Sequence, residues 1–181
     1  MADPIVVVPY DPEWPSLFRQ LGGQLRAALG KVALRIDHIG STAIVGMRAK
    51  PIVDMQISVA SLEPMEPYRA PLEALGFRWR ADNDDRTKRY FREPMGSRRT
   101  HIHVRRAGSW SEQFALLFRD YVRAHPDDAA RYAALKYRLA ERHRDQRDAY
   151  VDAKRPFIWE VMDRATEWSQ ATGWEPGPPD C

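Results

Sequence analysis

The stretch HIGSTAIVGMRAKPIVDMQ, residues 38–56, decides the fold. It spans the junction between two predicted strands. Residues 33–39 (ALRIDHI) read as a strand that stops at Gly40-Ser41-Thr42, with Thr42 a candidate cap for the next helical turn. Residues 51–59 (PIVDMQISV) read as a second strand whose apolar residues fall on both faces, which predicts a central position in a sheet. Asp54 sits inside that apolar run. A buried carboxylate is costly unless it is ion-paired, hydrogen-bonded or metal-bound. A salt bridge to Lys50 or to an arginine is one solution, and a functional ligand is another.

Upstream, residues 5–9 (IVVVP) suit a short edge strand or an extended lead-in. Trp14, Leu17, Phe18, Leu21, Leu25 and Ala28, spaced by threes and fours, predict a helix from about Glu13 to Leu29, stopped by Gly30. Gly22-Gly23 interrupts it at about 1 kcal/mol per glycine, which predicts a weak point or kink. Downstream, a helix over 65–75 ends at Gly76, and short strands follow near 77–81, 87–93 and 100–106, the last two forming a hairpin across residues 94–97. The chain is helical from Ser111, the expected N-cap. Phe114, Leu117, Phe118, Tyr121 and Val122 form the apolar stripe of that helix. Pro126 opens a further helix, with Asp127 and Asp128 in its first turn. The last helix carries Tyr150, Phe157, Ile158, Val161 and Trp168, and Pro156 within it predicts a kink or break. The expectation is one α/β (α+β) domain over residues 1–172: a small mixed sheet with an N-terminal helix and C-terminal helices packed on it. Residues 173–181 (GWEPGPPDC) are expected to be a disordered tail.

The bulk properties agree with a globular chain. Of 181 residues, 44% are hydrophobic and 29% charged, and 28 basic against 25 acidic residues leave a net charge of +3. That balance by itself argues for neither nucleic acid nor membrane as partner. Cys181 is the only cysteine, so no disulfide framework exists within the chain, and a reducing cytoplasm is expected. The N-terminal residues do not read as a signal peptide, and no apolar stretch approaches the roughly 18 residues of a membrane span.

Residues 38–56 resemble the signature of the GrpB family. PYDPEW near the start, THIHV (100–104), FRDYVRAHPDDAARYAALK (118–136) and AYVDAKRPFI (149–158) resemble that family too, in the same order. The resemblance runs from Val8 to about Ile158 and implies a nucleotidyltransferase-like fold. Related domains also occur fused behind dephospho-coenzyme A kinases. In the superfamily, a strand ends in a Gly-Ser turn whose N–H groups and hydroxyl hold a triphosphate. About a dozen residues later, carboxylates on one face of a strand hold Mg2+. The resemblance therefore implies an NTP as substrate or ligand and Mg2+ or Mn2+ as cofactor. Gly40, Ser41 and Thr42 would hold phosphate, Asp54 and Gln56 would face the metal, and His103 would lie near the reacting groups.

The chain departs from the superfamily at a telling place. The usual acid pair Asp-x-Asp or Asp-x-Glu is here Asp54-Met55-Gln56, and Gln56 offers a carbonyl without charge. The strand expected to bring a third acid presents His101 and His103 on one face instead. Imidazole suits Zn2+, Mn2+ or Ni2+ better than Mg2+. Two polar side chains facing water on a half-exposed strand would look the same in sequence. His38, beside the turn, is a candidate support for it. Lys50, Arg119, Lys136 and Lys154 are candidates for phosphate oxygens, with Asp120 a possible partner for one of them.

Residues 78–106 carry ten lysines and arginines with Trp79, Tyr90 and Phe91 interleaved, the ingredients of a nucleic-acid surface. Asp82, Asp84 and Asp85 in the same stretch weaken that reading. Three functions follow in descending order: nucleotidyl transfer from a metal–NTP to a small acceptor, a non-catalytic module binding a nucleotide or another anionic metabolite, and nucleic-acid binding through the arginine-rich hairpin.

Overall fold

The computed structural model describes residues 4–181. Its centre is a five-stranded sheet of β1 (Arg35–Ile39), β2 (Val53–Val59), β3 (Arg78–Trp79), β4 (Lys88–Arg92) and β5 (Thr100–Arg106), in the order β1-β2-β5-β4-β3. β2 and β5 run parallel and every other neighbouring pair is antiparallel, so the sheet is mixed. The helices are α1 (Trp14–Leu29), α2 (Glu66–Ala74), α3 (Trp110–Ala124), α4 (Pro126–Arg142) and α5 (Arg147–Thr172). No helix among the described residues is long and apolar enough to cross a membrane.

The two faces of the sheet differ in chemistry. Ile36, Met55, Ile57, Phe91, Ile102 and Val104 are fully buried on one face, against Trp14, Phe18 and Leu25 of α1 and Tyr68 and Leu72 of α2. Side chains alternate along a strand and paired residues share a face. The opposite face therefore carries Asp37 beside Gln56, Asp54 beside His101, Gln56 beside His103 and Tyr90 beside His103. This polar face lies toward α3, α4 and α5. A second apolar cluster joins Ile44 and Met47, from the segment between β1 and β2, to Tyr121, Val122, Tyr132 and Val161 of those helices.

Several local expectations change. α1 runs unbroken through Gly22-Gly23, and Gly22 lies on its buried face, where an added Cβ would stand 3.0 Å from Cys181 Sγ. α5 also continues through Pro156, which is exposed, as is Asp152, whose carbonyl loses its helical donor. The N-cap of α3 is Ser109, whose Oγ accepts from Glu112 N at 3.3 Å, while Ser111 lies inside the helix. Ser109-x-x-Glu112 is the capping-box spacing, and the Glu112 carboxylate accepts from Gly108 N at 2.6 Å. Of the apolar residues of the last three helices, Tyr121, Tyr132 and Val161 are buried, and Phe118, Leu135, Phe157 and Ile158 are half-buried.

The final residues dock on β1, where a disordered tail was expected. Cys181 N donates to Ile36 O at 3.1 Å, His38 N donates to Asp180 Oδ2 at 2.8 Å, and Arg35 donates to Gly177 O at 2.8 Å. β1 is an edge strand, so its free backbone groups offer partners to a segment too short and proline-rich to form structure alone.

Candidate functional site

The site begins where β1 ends. Gly40 has φ 71° and ψ −170°, a conformation open to glycine. It also lies directly against β2, for an added Cβ would stand 2.9 Å from Asp54 Oδ2. Ser41, Thr42 and Ala43 then make one short 3-10 turn. Thr42 does not cap that turn with its side chain: Thr42 Oγ1 donates to Ile52 O at 3.2 Å and sits 3.0 Å from His38 Nε2. His38 belongs to the apolar face, stacked on Phe18 at 4.8 Å, where burial lowers its pKa to about 4. A neutral His38 donating from Nε2 to Thr42 fits both hydrogen bonds. The Ser41 hydroxyl lies near Tyr132 on α4.

Asp54, His101 and His103 meet on the polar face. Asp54 Oδ1 lies 3.1 Å from His101 Nδ1 and 3.3 Å from His103 Nε2. Burial alone would raise the Asp54 carboxyl, but hydrogen bonds from the two histidines outweigh it and hold the group well below the usual carboxylate range. Burial pushes His103 down to about 4, so its ring is neutral at pH 7. No ion pair joins Asp54 to Lys50.

Gln56 is committed elsewhere. It is fully buried, its Oε1 accepts a hydrogen bond from Arg105, and its Nε2 points to Glu112 O at 3.4 Å. The carbonyl foreseen as a metal ligand is therefore occupied, and the donors around Asp54 are imidazole nitrogens. These residues do not fit a two-Mg2+ clamp of the superfamily type, which needs clustered hard oxygen donors.

Lys50, Lys136 and Lys154 gather on the helix side of the site, around two tyrosines. The ammonium of Lys154 is 4.4 Å and that of Lys50 5.4 Å from the Tyr150 ring centroid, and Lys136 is 4.6 Å from that of Tyr132. Lys136 also donates to Arg48 O. Burial, then the other two lysines, lowers Lys136 to about 7. Burial and Lys50 lower Lys154 to about 8, and the nearby Asp54 partly opposes the shift.

Arg119 and Asp120 do not join this group. Arg119 is buried, and its guanidinium donates to Asp120 Oδ1 at 2.7 Å, Asp180 Oδ2 at 2.8 Å and His38 O at 3.1 Å. Asp120 accepts from Arg119 and from Trp174 Nε1 at 3.2 Å rather than from a lysine. The pair ties α3 to β1 and to the C-terminal segment. Sequence reasoning missed Arg105, Tyr90 and Asp37, because their importance lies in strand register. Only the pairing of β1, β2, β4 and β5 puts them on the face with Asp54. The arginine-rich hairpin is largely neutralised: Arg80 pairs with Asp82, Lys88 with Asp85, Arg89 with Glu63 and Arg92 with Glu93.

A strand, a Gly-Ser turn and a central strand bearing a carboxylate against that turn make up a nucleotidyltransferase-like fold. The Cid1 poly(U) polymerase bound to Mg 3′-dATP has the same fold, with a TM-score of 0.52 at 14% identity over 75% of this chain and 42% of that one. Within this class the chain belongs to the GrpB family: the model of the GrpB protein family matches residues 4–164. The conserved protein GrpB from Enterococcus faecalis superposes with a TM-score of 0.83 at 30% identity, over 91% of this chain and 99% of that one. A UPF0157 protein of Pseudomonas aeruginosa is 38% identical over 90% of this chain and 68% of its own length. A dephospho-CoA kinase of Mycolicibacterium paratuberculosis is 36% identical over 96% of this chain and 49% of its own, so the chain spans about half the length of that relative.

Proposed function

We propose that the chain binds a nucleotide or a similar phosphorylated metabolite on the polar face of the sheet. The phosphates would lie between the Gly40-Ser41-Thr42 turn and the lysines of the helices. The observation that carries this reading is the convergence of Lys50, Lys136 and Lys154, none in an ion pair among the described residues, with Lys154 and Lys50 depressing Lys136 and Lys50 depressing Lys154. Partly buried like charges disfavour the fold, and an anion between them offsets that cost. The likeness to part of a dephospho-CoA kinase is in keeping with a nucleotide-like ligand. The single cysteine favours work in a reducing cytoplasm.

Nucleotidyl transfer is the second reading. Asp54 beside the Gly-Ser turn favours it, and Gln56 held by Arg105 in place of a second acid weighs toward binding without turnover. Isothermal titration with each NTP and with inorganic pyrophosphate, with and without divalent ions, tests the binding. Wild type should bind at least one of them, and Lys136→Met/Lys154→Met should bind it at least about tenfold more weakly, as expected when charge-assisted contacts are lost. Absence of binding under every condition overturns the reading. Release of pyrophosphate on addition of an acceptor would decide for transfer.

A further inference from the structure

The Asp54, His101 and His103 constellation has chemistry of its own. The three donor atoms lie within 4.8 Å of one another, with Asp54 Oδ1 3.1 Å from His101 Nδ1 and 3.3 Å from His103 Nε2. Transition ions bind imidazole nitrogen and carboxylate oxygen at about 2.0–2.2 Å. Bonds of that length set adjacent donors about 3.0 Å apart in an octahedron and about 3.4 Å apart in a tetrahedron. Both carboxylate–imidazole separations fall in that range. The two imidazole nitrogens lie within 4.8 Å of each other.

We propose that Asp54, His101 and His103 bind one divalent transition ion, of the Zn2+, Co2+, Fe2+ or Mn2+ kind, in preference to Mg2+. Two nitrogens and one oxygen are the wrong donors for Mg2+, which takes hard oxygens in a strict octahedron, and the right ones for a borderline ion. The scaffold is rigid. Asp54 and His101 stand opposite each other on adjacent parallel strands, and His103 follows two residues on, on the same face. The Asp54 side chain is 28% exposed, so an ion and an exogenous ligand can reach it.

A second observation points to a missing group. Tyr90 Oη, His101 Nε2 and His103 Nδ1 are buried without a hydrogen-bond partner, and the Tyr90 ring lies 5.4 Å from that of His101 and 5.3 Å from that of His103. Buried polar atoms in native proteins almost always find partners in protein or ordered water. An ion held by His101 Nδ1 and His103 Nε2 would fix the other ring nitrogen of each as an N–H donor, which then calls for an acceptor such as ordered water. Without an ion, both imidazoles aim a nitrogen at one carboxylate oxygen while Oδ2 faces Gly40.

The test uses chelator-stripped full-length chain without nucleotide. It is titrated with Co2+, followed by visible absorption, and with Zn2+, followed by calorimetry. One ion per chain should bind, at least about 100-fold more tightly than Mg2+. His101→Ala, His103→Ala and the isosteric Asp54→Asn should each weaken Zn2+ about 100-fold or more, given that even loss of an outer-shell partner costs 10–100-fold. Thermal unfolding in chelator checks that each variant folds, and His103→Gln replaces any alanine variant that does not. Lys136→Met/Lys154→Met should bind Zn2+ at least as tightly as wild type, because it removes only positive charge near Asp54. Equal Zn2+ affinity in wild type and the double histidine variant overturns the proposal, as does competition by equimolar Mg2+. The two readings fail separately. Zn2+ binding without any anion binding removes only the proposed function, and nucleotide binding without a transition ion bound at these residues removes only the metal site.

Discussion

Gly40 and Asp54 are in contact across the β1–β2 junction: a methyl group on Gly40 would stand 2.9 Å from Asp54 Oδ2 and 3.2 Å from its Cβ. Gly40 also has φ 71°. Alanine there meets both penalties. Gly40→Ala should destabilise the fold by about 1–3 kcal/mol through backbone strain, read from urea unfolding. Displacement of the carboxylate should lower ion binding further than that instability explains. A variant of wild-type stability and wild-type binding would show that the turn tolerates a side chain.

The lysine cluster predicts a pH dependence of anion binding. Lys136 loses its proton near 7 and Lys154 near 8 in the folded chain, against 10.5 for an ordinary lysine. Affinity for pyrophosphate should therefore be greatest below pH 7 and fall between pH 7 and 9, with proton uptake on binding visible as a buffer-dependent heat. The same shifts bear on stability. Above pH 7 the unfolded chain holds protons that the folded chain has released, so unfolding free energy should rise with pH from about 7 to 9. Above that window Tyr132, raised by burial to about 12, and Tyr150, raised further by burial and by Tyr132, reverse the trend as unfolded tyrosines ionise.

Gln56 and Arg105 make a joint prediction. Arg105 donates to the Gln56 carbonyl, and burial lowers Arg105 only to about 10, so it stays charged at neutral pH. Gln56→Asp alone should gain little Mg2+ affinity, because Arg105 neutralises the new carboxylate. Gln56→Asp/Arg105→Gln should gain clearly more. Titration of both variants with Mg2+ reads the difference, and equal gains would mean that Arg105 does not govern this position.

Arg119 provides the control. Replacing it by methionine leaves the Asp120 and Asp180 carboxylates and His38 O without their buried donor. Removing one partner of a buried ion pair costs about 3–5 kcal/mol. Chemical unfolding should show that loss, while anion affinity, measured below the new transition, should stay near wild type. A selective loss of anion binding would return Arg119 to the site.

The architecture was largely legible because its signals are local. The run PIVDMQISV announced a central strand, and Gly30, Gly40, Gly76 and Pro126 marked boundaries that the structure keeps. Expectations that failed turned on distant partners. Gly22 is tolerated in mid-helix because Cys181 packs on it, and the C-terminal residues are ordered because β1 offers an open edge. Arg119 looked like a phosphate ligand because its type is right. Its carboxylate partner Asp180 is 61 residues away in sequence. Asp54 and the histidine pair could be singled out by residue type, but that both histidines converge on one oxygen is a matter of register.

That register has an engineering consequence. Met55, Ile57, Ile102 and Val104, all fully buried, pin β2 and β5 from beneath, and a slip of one residue would turn each of them outward. Asp54, His101 and His103 hang from the upper side of the same two strands. Loop grafting, the usual way to give a scaffold new chemistry, would leave this constellation untouched. Its chemistry can be rewritten only one side chain at a time, on a lattice whose spacing is already set.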